Sequence, residues 1–135
     1  MSPNEEIVQS VIVGSPYGAL LGLELARLTD EEVVVRLPYR PQIVTVGDVV
    51  HGGAIASLVD AAATAAVWAG TDLEHSRRGT TVGFTVSFLS AARGQDLLAT
   101  ARVIQRGRTL CVCEVRVDGA SDTQVARGLV TYKVG

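Results

Sequence analysis

Seventeen residues near the middle of the chain decide most of what it can fold into. From Gly53 to Ala69 the sequence holds eight alanines together with Ile55, Leu58, Val59, Val67 and Trp68, and Gly70 follows at a position suited to close a helix. Such a segment favours a helix that is apolar almost all round, so most of its surface has to be buried. A single helix cannot bury itself, and the rest of the chain must supply the cover.

That cover reads as strands. Leu23 to Leu28 and Glu32 to Leu37, separated by Thr29, Asp30 and Glu31, form a hairpin before the helix. After it, Val82, Phe84, Val86 and Phe88 alternate with Gly83, Thr85 and Ser87, the period of a half-buried strand. Leu97 to Gln105, Thr109 to Asp118 and Val125 to Val134 follow as three consecutive antiparallel strands, with turns at Gly107-Arg108 and Gly119 to Thr123. The expected class is α+β, an antiparallel sheet of about six strands wrapped around one long central helix.

With 135 residues, 47% hydrophobic and 19% charged, the chain has enough apolar surface for one folded domain spanning 1–135, with residues 1–17 as an N-terminal extension. Nothing in it reads as a linker, a repeat or a low-complexity tract. A net charge of -2 supplies no basic field for nucleic acid or anionic membrane. The polar start, with Glu5 and Glu6 and no basic segment, does not resemble a secretory signal, and no uninterrupted apolar run reaches bilayer length, so a cytoplasmic protein is expected. Cys111 and Cys113 are placed on one face of a strand, badly set to bond each other, and are read as small core residues; no metal-ligand set accompanies them.

Polar groups on the helix are few enough to single out. Ser57, Asp60 and Thr64 share one face at helical spacing, with Gly53 on the same line, and Asp60 is the sole charge. A buried lone carboxylate costs several kcal/mol, so Asp60 either faces water at an interface, caps a neighbouring loop, or is a functional carboxylate. Just ahead, His51-Gly52-Gly53 precedes the free N–H groups of the helix start. The two glycines either make the turn, with His51 satisfying a backbone group, or let a ligand oxygen approach donors that favour developing negative charge.

Together these residues, His51-Gly52-Gly53-Ala-Ile-Ala-Ser57-Leu-Val-Asp60, resemble the motif of hotdog-fold acyl-CoA thioesterases of the phenylacetate-pathway (PaaI-like) type. The order of hairpin, long helix and four strands is also that family's, over roughly Gly18 to Val134. The resemblance implies hydrolysis of a small, medium or aryl acyl-CoA to free acid and CoA, with no cofactor and no metal. It implies that Gly52 N–H polarises the thioester carbonyl, that Asp60 acts as general base or nucleophile, and that His51 positions loop and substrate. Thr81 falls where relatives place a hydroxyl that holds the water or the carboxylate. Gly53, Ser57 and Thr64 would border the substrate.

The chain departs from the pattern at Thr45, where many relatives carry an Asn, and at Ala91, where a proline is common. A hydroxyl at position 45 has a shorter reach than an amide. The family implies a homodimer with helices side by side, pairing into a homotetramer, so that the Asp60 face lines a cleft between subunits. Arg93, Arg106 and Arg108 are expected to cluster for the phosphates of CoA. Two rivals share the fold: an acyl-CoA binding or sensing protein without catalysis, and a hydratase or dehydratase, for which only Asp48 and His51 offer an acid and a histidine.

Overall fold

A computed structural model describes residues 1–135. The chain opens with a short helix α1 (Pro3–Glu6), capped by the Ser2 side chain, which runs into a π-helical stretch over Ile7–Val13 and then into α2 (Pro16–Leu21). Strands β1 (Glu24–Leu28) and β2 (Val33–Leu37) form the expected hairpin, and α3 occupies Gly52–Ala69, one residue longer at its start than the sequence suggests. Then come β3 (Gly79–Phe88), β4 (Leu97–Arg106), β5 (Leu110–Asp118) and β6 (Gln124–Val134). All six strands join one antiparallel sheet in the order β1-β2-β4-β5-β6-β3, curled around α3.

Small side chains let sheet and helix approach each other. On the sheet Ala99, Ala101, Cys111, Cys113 and Ala126 are fully buried, and on the helix Ala62, Ala63 and Ala65 are too. The tightest point is Gly128 of β6, where an added Cβ would lie 2.8 Å from Val59 Cγ1 and 3.2 Å from the Thr85 carbonyl oxygen of β3. Length and composition alone would let α3 cross a bilayer; the sheet uses the same apolarity as its core.

Residues 1–17 are not a loose extension. Val8 and Val13, five residues apart, are both buried, and Ile7 and Ile12, again five apart, pack against the same core. Closing each turn with an i to i+5 hydrogen bond, as Gly14 N–H does to the Gln9 carbonyl at 2.9 Å, brings residues at that spacing to one side. The Asn4 amide fastens this segment to the far end of α3, donating to the Trp68 and Thr71 carbonyls at 2.8 Å each.

Strand β3 also departs from the expectation of a half-buried strand with Val82, Phe84, Val86 and Phe88 on one face. It is an edge strand, and Val82, Phe84 and Phe88 are 53%, 43% and 54% exposed. A β-bulge between Thr81 and Gly83 leaves Val82 without a partner on β6, so residues before and after it swap sides. Thr81 thereby turns to the helix along with Phe84, Val86 and Phe88, while Val82 does not.

Cys111 and Cys113 are buried free thiols, as expected. Burial pushes the Cys113 thiol up to about 12, the nearby Cys111 adds to the rise, and the Arg106 cation opposes it. A proton held in the folded state but lost from the unfolded chain makes stability fall as pH climbs from the ordinary thiol value toward 12. Urea denaturation at pH 8 to 11 is expected to show this decline above pH 9, and Cys113→Ala is expected to flatten it. Gly128→Ala is expected to cost about 1–3 kcal/mol in the same assay at pH 7, through overpacking against Val59.

Candidate active site

The start of α3 is shaped by His51. Its Nδ1 accepts the Gly53 N–H at 2.7 Å, and its carbonyl takes the N–H groups of Ala54 and Ile55. The ring therefore does satisfy a backbone group, which requires an unprotonated Nδ1. Of the first helical donors this leaves the Gly52 N–H without an intramolecular acceptor. The Phe88 ring lies over Gly52, within 3.5 Å of where a Cβ would stand. Thr45, its N–H bonded to the Val49 carbonyl at 2.8 Å, borders the same shallow groove.

Two turns further along, the polar face of the helix opens on a different space. Asp60 Oδ1 accepts a 2.6 Å hydrogen bond from the Thr81 hydroxyl, a length typical of a charged acceptor. Its second oxygen has no protein partner among the side-chain hydrogen bonds of the chain. One turn before it, Ser57 Oγ donates to the Gly53 carbonyl at 2.9 Å, so the 2.9 Å contact between Ser57 and Tyr17 has the tyrosine hydroxyl as donor. Thr64 lies one turn after Asp60.

Tyr17, Ser57, Asp60 and Thr64 face a cavity of about 880 Å³. Its helix wall is low because Ala56 and Ala61 fill little space, and Ile7, Ile12 and Leu21 from the N-terminal segment close the opposite side. At the far end Trp68 Nε1 donates to the Tyr132 hydroxyl at 2.9 Å, the rings standing edge to face at 6.4 Å and 81°. Burial raises the Tyr132 phenol above its ordinary value; the bond from Trp68 opposes this and the Asp60 charge adds to it.

The structure thus brings Asp60, Ser57 and Thr64 together around one cavity, with Thr81 bonded to Asp60, and Gly52 and Thr45 around another groove, with His51 next to Gly52. Asp60 is eight residues beyond Gly52, so about 12 Å of helix separates the two sets within one chain. The three arginines expected to cluster do not. Arg93 precedes β4 and Arg106 ends it, a strand of about 30 Å. Arg106 donates to the Val67 carbonyl with both terminal nitrogens at 3.3 Å and so caps the helix C-terminus. Arg93 pairs with Asp48 at 3.5 Å on the surface beside the Gly52 groove, and Arg108 projects from the β4–β5 turn.

Sequence reasoning missed Tyr17, Tyr132, Arg77 and Arg78, all of which line the cavity with Asp60. None has a spacing relation to Asp60: Tyr17 comes from α2, Arg77 and Arg78 from the segment before β3, and Tyr132 from β6.

Residues 47–126 match the sequence profile of the Thioesterase superfamily. The chain is 30% identical to the medium/long-chain acyl-CoA thioesterase YigI of Salmonella typhimurium, covering 89% of this chain and 86% of that one. It superposes with a TM-score of 0.83 on the conserved protein PA5202 from Pseudomonas aeruginosa, 30% identical, over 90% of this chain and 94% of that chain. A thioesterase family protein from Silicibacter pomeroyi shares the fold with a TM-score of 0.89 at 24% identity, over 97% of each chain. The match to the profile covers more than half of the sequence, and the sheet curled around α3 is the hotdog arrangement: the chain belongs to the thioesterase superfamily and is a thioester hydrolase.

Proposed function

We propose that the protein hydrolyses a medium-length acyl-CoA at sites that two copies build together. The observation that carries this is the pairing of Asp60 with Thr81 in an apolar cavity, about 12 Å from the free Gly52 N–H on the same helix. One chain cannot place carboxylate and oxyanion donor on the same carbonyl. Two helices lying side by side in opposite directions can, each Asp60 then meeting the Gly52 of the other copy.

The two sheet edges support that assembly. β1 has five residues, a bulge and the charges of Glu24 and Arg27, features that discourage further pairing. β3 has ten residues and shows Phe84 and Phe88, the combination that invites a partner strand. The similarity to YigI, named for medium/long-chain acyl-CoA, and the cavity volume both favour a medium chain over acetyl. An acyl-CoA substrate also agrees with work in the cytoplasm. Of the three arginines named from the sequence, Arg93 is the one beside the Gly52 groove and the best placed for CoA phosphate.

In the reaction, Thr81 holds Oδ1 and leaves Oδ2 of Asp60 to act. As general base, Oδ2 takes a proton from water while the water oxygen bonds the thioester carbon, and the carbonyl oxygen becomes an oxyanion received by Gly52 N–H. Collapse breaks the C–S bond, and the CoA thiolate takes the proton back from Asp60. As nucleophile, Oδ2 would bond the carbon first and the C–S bond break with release of the CoA thiolate, giving an anhydride that water then opens to the free acid and the Asp60 carboxylate. Single turnover in ¹⁸O-water separates the routes, since only the second can leave label in Asp60.

Thiol release from octanoyl-CoA is expected to fall about 10²–10⁴-fold in Asp60→Asn and less in Thr81→Ala. Undiminished release by Asp60→Asn would remove the assignment. Phe84→Glu with Phe88→Glu is expected to turn dimers into monomers in analytical ultracentrifugation and to abolish release together with them; an active monomer would rule out the composite site.

A further inference from the structure

Two exposed arginines border the cavity that Asp60 lines, and neither has a charge partner within the chain. Arg77 and Arg78 line the same space as Asp60, yet none of the six ion pairs of the chain includes either, and neither side chain makes a hydrogen bond. Asp60 lies beyond ion-pair reach and is engaged by Thr81. Of the acidic residues just before them, Asp72 bonds His75 at 2.6 Å and the Glu74 N–H at 3.0 Å, and Glu74 forms no ion pair with either arginine. The segment carrying the arginines is itself tied down, by Thr71 Oγ1 to the Val67 carbonyl at one end and by Gly135 N–H to the Arg78 carbonyl at the other.

We propose that Arg77 and Arg78 form an anion subsite at the far end of the cavity, which takes a carboxylate on the distal end of the acyl chain. The inference rests on the reading of Asp60 as the group that acts on the thioester. Arg78 immediately precedes β3, three residues and about 10 Å of extended chain before Thr81, the residue that holds Asp60. The preferred substrate is therefore a thioester of a medium-length α,ω-dicarboxylic acid. Guanidinium groups bind carboxylates through paired charge-assisted hydrogen bonds. A short diacid is disfavoured, because its free carboxylate would stop beside Asp60, like charge against like. CoA phosphate is the other anion two arginines could meet, but a cavity walled by Ile12, Leu21 and Trp68 suits an alkyl chain and not a nucleotide.

N-acetylcysteamine thioesters carry no phosphate and so isolate the acyl group. Calorimetry on the Asp60→Asn protein, which reads binding without turnover, is expected to show the suberic monothioester bound about tenfold more tightly than the octanoyl thioester. In the added presence of Arg77→Gln and Arg78→Gln the suberic-to-octanoyl ratio is expected to fall toward one, with Arg→Lys at both positions intermediate. Equal affinity for suberic and octanoyl thioesters in the unsubstituted arginine background overturns the proposal. So does weaker binding of free CoA by the glutamine variant with the suberic-to-octanoyl ratio unchanged, which assigns the arginines to phosphate. Absence of thiol release from octanoyl-CoA by the wild type is a separate result that strikes the hydrolytic reading, since the affinity ratio is measured independently of it.

Discussion

The close contact between an alanine-rich helix and a curved sheet is the constraint from which the remaining features follow. Small residues on both surfaces, with Gly128 at the tightest point, let β4, β5 and β6 bend around α3. The same small side chains cannot fill space where the sheet ends. Ala56 and Ala61 leave a void on the side that carries Ser57, Asp60 and Thr64, and the N-terminal segment closes it only in part. A carboxylate that would be costly inside a dry core thus stands at the wall of a cavity, with one oxygen held and one available.

Two local irregularities place groups that regular elements would have sent elsewhere. The bulge at Val82 reverses the facing of β3, so that Thr81 and Phe84 look toward one helix face despite their odd spacing. The π winding of Ile7–Val13 does the like for the N-terminus, aligning residues five apart. Both are invisible to a search for periods of 2 or 3.6: nothing in the spacing of residues 7–13 announces their packing on the core, and the alternation of β3 does not show its bulge.

What the sequence does reveal is whatever depends on local composition. The helix announces itself by its alanines, the hairpin and the last three strands by apolar runs between turn residues, and Asp60 by being the one charge on an apolar helix. The pairing of Thr81 with Asp60 was expected from family resemblance alone, because the two residues are joined only through strand placement. Tyr17, Arg77, Arg78 and Tyr132 share the cavity for reasons of topology and leave no trace in spacing. The supposed arginine cluster failed for the complementary reason: nearness in sequence across β4 means opposite ends of a ten-residue strand, and the helix C-terminus claims Arg106.

The unequal edges of the sheet carry one more implication. Joining two chains along β3 uses the same edge on both, so the operation is its own inverse and closes after a single step. The outward strands of the joined sheet would both be β1, short, bulged and charged. Growth therefore has an initiating edge and a terminating one. A sheet protein with an exposed phenylalanine-bearing strand ordinarily risks polymerising into fibres; here the polarity of the strand order would make a β3-joined pair a dead end for polymerisation.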